Sequence, residues 1–158
     1  MTIHFGYEKK QVLQALRYHF ISRKEIKILL ILINVFAVFS AVLFAYGKIQ
    51  PIAFLLFSLM WFLLMLAIWT LLPRNIYKKA LTFQDEFTMT FNNTEVILQN
   101  SRGVQHWSWA SFSNFMESPF FFHLYFNSSS FFLVPKDAFT DLTDLQEVRV
   151  LLQKRLAK

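Results

Sequence analysis

The residues able to do acid–base or metal chemistry are few and scattered. The histidines are His4, His19, His106 and His123; no two have helical ligand spacing, and no H-E-x-x-H occurs. His106 and His123 fall on different predicted strands, and two neutral imidazoles alone do not make a structural zinc site. Asp85 and Glu86 are adjacent, which on a strand sends them to opposite faces and denies them paired-carboxylate chemistry. Ser128-Ser129-Ser130 reads as a turn without a placed base. Cysteine is absent, so disulfides, thiolate catalysis and Cys-ligated zinc are excluded. The chain has only three glycines and shows no Walker A sequence, no Gly-x-Ser-x-Gly and no dinucleotide fingerprint. The expectation is a non-enzymatic protein with no catalytic residue, no metal and no cofactor.

The chain is instead organised around two apolar runs, 28–47 and 52–72, joined by Lys48-Ile49-Gln50-Pro51. Neither run contains Asp, Glu, Lys, Arg or His. Each supplies the ~20 residues a helix needs to cross a hydrocarbon core of about 30 Å. The expected organisation is therefore residues 1–27 as an N-terminal strand and amphipathic helix, 28–72 as a transmembrane hairpin, and 73–158 as a β domain ending in a helix. Hydrophobic residues at 55% and charged residues at 16% agree with a membrane class. Lys9, Lys10, Arg17, Arg23, Lys24 and Lys27 precede the first run, and Arg74, Lys78 and Lys79 follow the second. Only Lys48 lies between, so the positive-inside rule puts both termini in the cytoplasm. Arg74, Lys78 and Lys79 would meet anionic headgroups, which accounts for the net charge of +6 without nucleic acid. No signal peptide is apparent, since the first run starts too far in and lacks a small-residue cleavage site.

Within the first run Asn34, Ala37, Ala41 and Ala45 fall on one helix face. Small residues let helices approach closely, and an Asn can hydrogen-bond across the gap. The face suits either the second run of the same chain or an oligomer interface. With one Asn, two Ser and one Thr as the hairpin's small polar residues, a single copy has little with which to build a pore. An oligomeric channel or permeabilising protein is the alternative function. Pro73 is expected to end the second helix. Residues 8–21 repeat apolar residues at helical spacing and would lie on the membrane surface, pack on the β domain or extend the first span.

After Leu72 the periodicity changes to two. Strands are predicted over 86–91, 94–99, 104–109, 111–116, 120–126 and 131–134, separated by short turns. Such a meander predicts an antiparallel barrel or open sandwich. Leu142, Leu145, Val148, Leu152 and Leu156 form the stripe of a closing helix, with Thr143 or Thr140 as its N-cap. A sheet of this kind with one C-terminal helix has the arrangement of pleckstrin-homology-like domains, an analogy of fold alone. Phe120, Phe121, Phe122, Phe126, Phe131 and Phe132 crowd one hairpin, more rings than a barrel interior holds. An exposed contact patch including Phe121, Phe131 and Lys136 is one expectation. Cover by the N-terminal strand and helix is the other.

The segment Phe132-Leu133-Val134-Pro135-Lys136-Asp137-Ala138-Phe139, with Trp109, Phe112 and Tyr125 upstream, resembles the YcxB-like family of bacterial membrane proteins. Pro135, Lys136 and Phe139 match that family's strand, proline, basic residue and phenylalanine. The resemblance implies a two-helix hairpin with a C-terminal β domain in the bacterial cytoplasmic membrane, and no catalytic residues. The expected function is presentation of that domain for contact with the lipid bilayer surface, with another copy, or with a membrane or cytoplasmic protein.

Overall fold

Alternation along each strand decides which side chains enter the core. In the computed structural model, which describes residues 1–156, β1 (Thr2–Phe5) buries Ile3 and Phe5 and leaves Thr2 and His4 outside. Helices α1 (Lys9–Ser22), α2 (Lys24–Ala45) and α3 (Pro51–Leu66) follow, then a π-helical turn at Ala67–Leu71 and α4 (Leu72–Lys79). The remaining strands are β2 (Phe87–Phe91), β3 (Glu95–Asn100), β4 (Gly103–Ser108), β5 (Asn114–Glu117), β6 (Phe121–Tyr125) and β7 (Phe131–Pro135). Helix α5 (Leu142–Leu156) is last. Contacts divide the chain into two units, one formed by residues 1–15 with those from 81 onward, the other by residues 16–80.

The first unit has two antiparallel sheets, ordered β1-β2-β3-β4 and β5-β6-β7. The sandwich is open, so the barrel expectation is corrected: β4 runs into a 3-10 turn at Trp109–Ser111 instead of pairing with β5. β1 pairs with β2 over Thr2↔Thr90 to Phe5↔Phe87, so the second unit is inserted between two neighbouring strands. The core gathers Phe5, Phe87, Met89 and Val96 from one sheet with Phe122, Leu124, Phe132 and Val134 from the other. Val148, Leu152 and Leu156 of α5 and Phe139 close it. Rings meet edge-on or stacked, as Trp107 does with Phe112, Phe126 and Phe132 at 5.8, 5.0 and 5.4 Å. Leu142, expected in the stripe, is 81% exposed. The cap of α5 is Asp141, whose carboxylate accepts from the Thr143 amide at 3.0 Å, rather than Thr143 or Thr140.

In the second unit α2 and α3 are joined by Gly47, whose φ of 65° closes α2 in a left-handed cap. Gln50 and Pro51 then start α3. Phe44 stacks on Phe54 at 4.5 Å, and Phe36 meets Phe57 edge-on at 5.6 Å. The second helical run continues through Pro73 to Lys79, correcting its expected end at Leu72. A proline inside a helix clashes with, and removes the donor for, the carbonyl four residues back, here Trp69. The π-helical turn around Trp69 widens the backbone at this point. Arg17 Nε donates to the Trp69 carbonyl at 3.0 Å and its guanidinium lies 5.6 Å from the Trp69 ring centroid. The carbonyl that Pro73 deprives of a backbone partner is thereby satisfied by a side chain from α1.

The apolar face of α1 is not free to lie on a bilayer, because Val12, Ala15, Leu16 and Phe20 are buried in the protein. Tyr7, between β1 and α1, donates its hydroxyl to the Leu133 carbonyl at 2.6 Å, and burial raises its pKa well above the ordinary tyrosine value. Its ring sits among Phe5, Phe83, Phe87, Phe121 and Phe132. Tyr7→Phe is expected to lower stability by about 1 kcal/mol, leaving the rings in place but the carbonyl unpaired. Leu152→Ala, in the same unit, is expected to cost about 2–5 kcal/mol. Denaturant unfolding in detergent, followed by tryptophan fluorescence, measures both.

Candidate functional site

The sequence placed interaction residues on three stretches, and the structure treats each differently. On α2, Ala37 turns toward α3, while Asn34, Ala41 and Ala45 are exposed. Asn34 does not reach across to α3; its Nδ2 donates to the Leu30 carbonyl at 2.7 Å in its own helix. On α4, Arg74, Lys78 and Lys79 are exposed, and the two lysines lie in the last turn, where cations complement the helix dipole.

The aromatic hairpin is the stretch where expectation and structure part most. Phe121 is 1% exposed and has Tyr7 stacked at 6.4 Å, so it offers no surface. Phe131 is half-buried beside His123 and Tyr125 at 5.7 and 5.5 Å. Phe120, just outside the strand, is the exposed ring. The exposed patch expected to include Phe121 is therefore corrected: the chain following β1 covers that ring. Lys136 is also occupied. Its Nζ pairs with Glu117 at 2.6 Å and lies 5.3 Å from the Phe122 ring centroid.

Glu117 was not singled out by sequence, and it joins three elements. It sits on β5, takes Lys136 from the turn after β7, and takes Arg149 of α5 at 3.0 Å through Nε and 2.8 Å through Nη2. Gln146 also accepts from Arg149. The forked Arg149 contact holds the Glu117 carboxyl below the usual carboxylate range; burial opposes this, and Lys136 adds to it. Arg149 is correspondingly raised. The cluster is a clamp between sheet and closing helix, since each of its charges already has a partner.

Among the described residues, Ser118 and His123 form a buried hydroxyl–imidazole pair in the β unit. His123 Nε2 lies 2.9 Å from Ser118 Oγ, and both residues are buried. Ser118 Oγ donates to the Phe121 carbonyl at 3.1 Å, so toward His123 it accepts. A nucleophilic serine must donate to its base. The direction of the proton and the burial make this pair a brace of the β5–β6 turn. His19 is buried in α1, and burial, helped by the Arg23 charge, lowers its pKa to about 4. His4 and His106 are exposed and bond to Thr88 at 2.8 Å and Glu95 at 3.1 Å.

A polar groove of about 710 Å³ opens between His4, Gln84, Asp85, Glu86, Asn100 and Ser101. Asp85 and Glu86 precede β2 and both border this groove, contrary to the opposite faces expected of a strand. Asp85 is engaged by Arg102 at 3.1 Å and Asn100 at 3.4 Å. Among the described residues, no group of three or more His, Asp or Glu is placed to hold a metal.

Glu117→Gln is expected to lower stability by about 1 kcal/mol at neutral pH, discounted because the clamp is partly solvated. A carboxylate with a depressed folded pKa stabilises fully above its unfolded value of ~4.3, and that contribution is lost as pH falls through the lower folded value. The gap between native chain and variant should therefore hold from pH 7 to about 5 and close below about 4. Denaturation midpoints across that range check it.

Neither curated proteins nor solved structures yield a match to the chain. Residues 91–152, from the end of β2 into α5, match the family model described as YcxB-like protein.

Proposed function

We propose that this chain is an integral membrane protein whose two-helix hairpin anchors a pleckstrin-homology-like β domain at the inner face of the bacterial cytoplasmic membrane. It acts there without catalysis, by contact with another protein, another copy or the lipid surface. The observation that carries the proposal is the state of the two long helical runs. In Lys24–Ala45 only 6% of the apolar stretch is buried, and in Pro51–Lys79 none is. A soluble protein rarely leaves a contiguous apolar surface of this extent in water, and both runs are long enough for a bilayer core. Lipid is the solvent that removes the conflict.

The β1–β2 ladder supports the sidedness. Two strands that exchange backbone hydrogen bonds lie on one side of a membrane, so the chain between them crosses an even number of times. Charge then selects the side, because Lys and Arg flank the hairpin's ends and its turn carries Lys48 alone. The two sheets closed by one C-terminal helix support the pleckstrin-homology-like reading.

Alkaline carbonate should leave the chain in the membrane pellet. The absence of native cysteine allows single-cysteine labelling in sealed inside-out vesicles. Asn100→Cys in the β3–β4 turn should react with an impermeant maleimide, and Gln50→Cys in the hairpin turn should react only after detergent. Release by carbonate, or labelling of both positions from one side, overturns the proposal.

A further inference from the structure

Two grooves flank the line along which α2 and α3 meet, and their chemistry differs. One, of about 500 Å³, is lined by Asn34, Ala37, Ser40, Ala41, Ser58 and Trp61 among others. The other, of about 370 Å³, is lined by Leu32, Ile33, Phe36, Met60 and Leu64, with Ala37, Phe57 and Trp61 shared. Asn34, Ser40, Ser58 and Thr70 are the small polar residues of the two apolar runs. The first three line the first groove, and none of the four lines the second.

The polar groups of the first groove are not satisfied within one copy. Ser40 is buried and its hydroxyl has no hydrogen-bond partner; the shielded Trp61 Nε1 likewise has none. Asn34 spends one amide hydrogen on its own helix, and its side chain is exposed. Acyl chains can supply no partner, so each group left this way is costly in lipid.

The geometry points to a second copy of this chain as the occupant of that groove, in a two-fold hairpin dimer. An Asn amide carries donor and acceptor together, so two Asn34 side chains related by a two-fold axis complete one another. Ala37 and Ala41 leave the space in which the backbones approach. The Leu32–Leu64 flank, which needs no hydrogen bond, faces lipid. The dimer rests on the proposal that the hairpin lies in a bilayer.

Single cysteines separate the two flanks in native membranes. Under copper–phenanthroline, Ala41→Cys should give a disulfide-linked dimer, while Leu32→Cys on the opposite flank stays monomeric. Adding Asn34→Leu to Ala41→Cys should lower the ratio of dimer to monomer about tenfold, the order expected for lost interhelical hydrogen bonds. Monomer alone from Ala41→Cys, equal linkage at both positions, or linkage to a different protein overturns the dimer. If the chain remains in the carbonate pellet, that failure leaves the anchoring proposal standing. Release by carbonate overturns both.

Discussion

The pairing of β1 with β2 constrains everything else in this protein. Thr2 and Thr90 share a ladder position although the whole second unit separates them in sequence. Their hydroxyls meet at 2.9 Å, and the Met1 amino group reaches the Phe91 carbonyl at 3.2 Å. A helical excursion inserted into a hairpin connection must bring its two ends back to neighbouring strands. Without β1, the β2 edge would be open and Ile3 and Phe5 would leave the core. The long apolar helices are thus tied into the β fold at both of their ends, instead of being appended to one terminus.

That arrangement explains where the buried polar contacts fall. Tyr7 fixes the chain as it leaves β1, by bonding to β7. The clamp of Glu117, Lys136 and Arg149 ties β5 and the turn after β7 to α5, which closes the open sandwich. Arg17 supports the second helical run at its proline, with a carbonyl bond and a cation over the Trp69 ring. Tyr7 and Arg17 each give a side-chain donor to a backbone carbonyl, while the clamp pairs charged side chains with one another.

Much of the fold was legible from local periodicity. The six strands after the hairpin appear within two or three residues of their expected bounds, because half-buried strands must alternate. The family resemblance read on Pro135, Lys136 and Phe139 is carried by the match over 91–152. What failed was decided by residues far apart in sequence. Pro73 does not end its helix, because the π turn and Arg17, 52 residues from Trp69, accommodate it. Phe121 is not a surface ring, since Tyr7 returns to cover it. Glu117 carries no signal of its own, as Arg149 lies 32 residues away and no short pattern links them. The grooves of the hairpin were half visible: the Asn34–Ala45 face stood out, but the part played by Ser40 and Trp61 depends on how α3 packs.

The most direct test is a disulfide across the β1–β2 ladder, formed in membranes of cells that express the chain. Thr2→Cys with Thr90→Cys adds the only two thiols, at directly paired positions whose side chains already touch. Oxidation of intact membranes should give an intramolecular bond that speeds migration on a non-reducing gel, while Thr2→Cys with the off-register, inward-facing Val96→Cys should not. Failure of the Thr2–Thr90 pair to link in membranes that retain the chain would mean that the two ends of the helical excursion do not return to one sheet, and the inserted-helix architecture would be wrong.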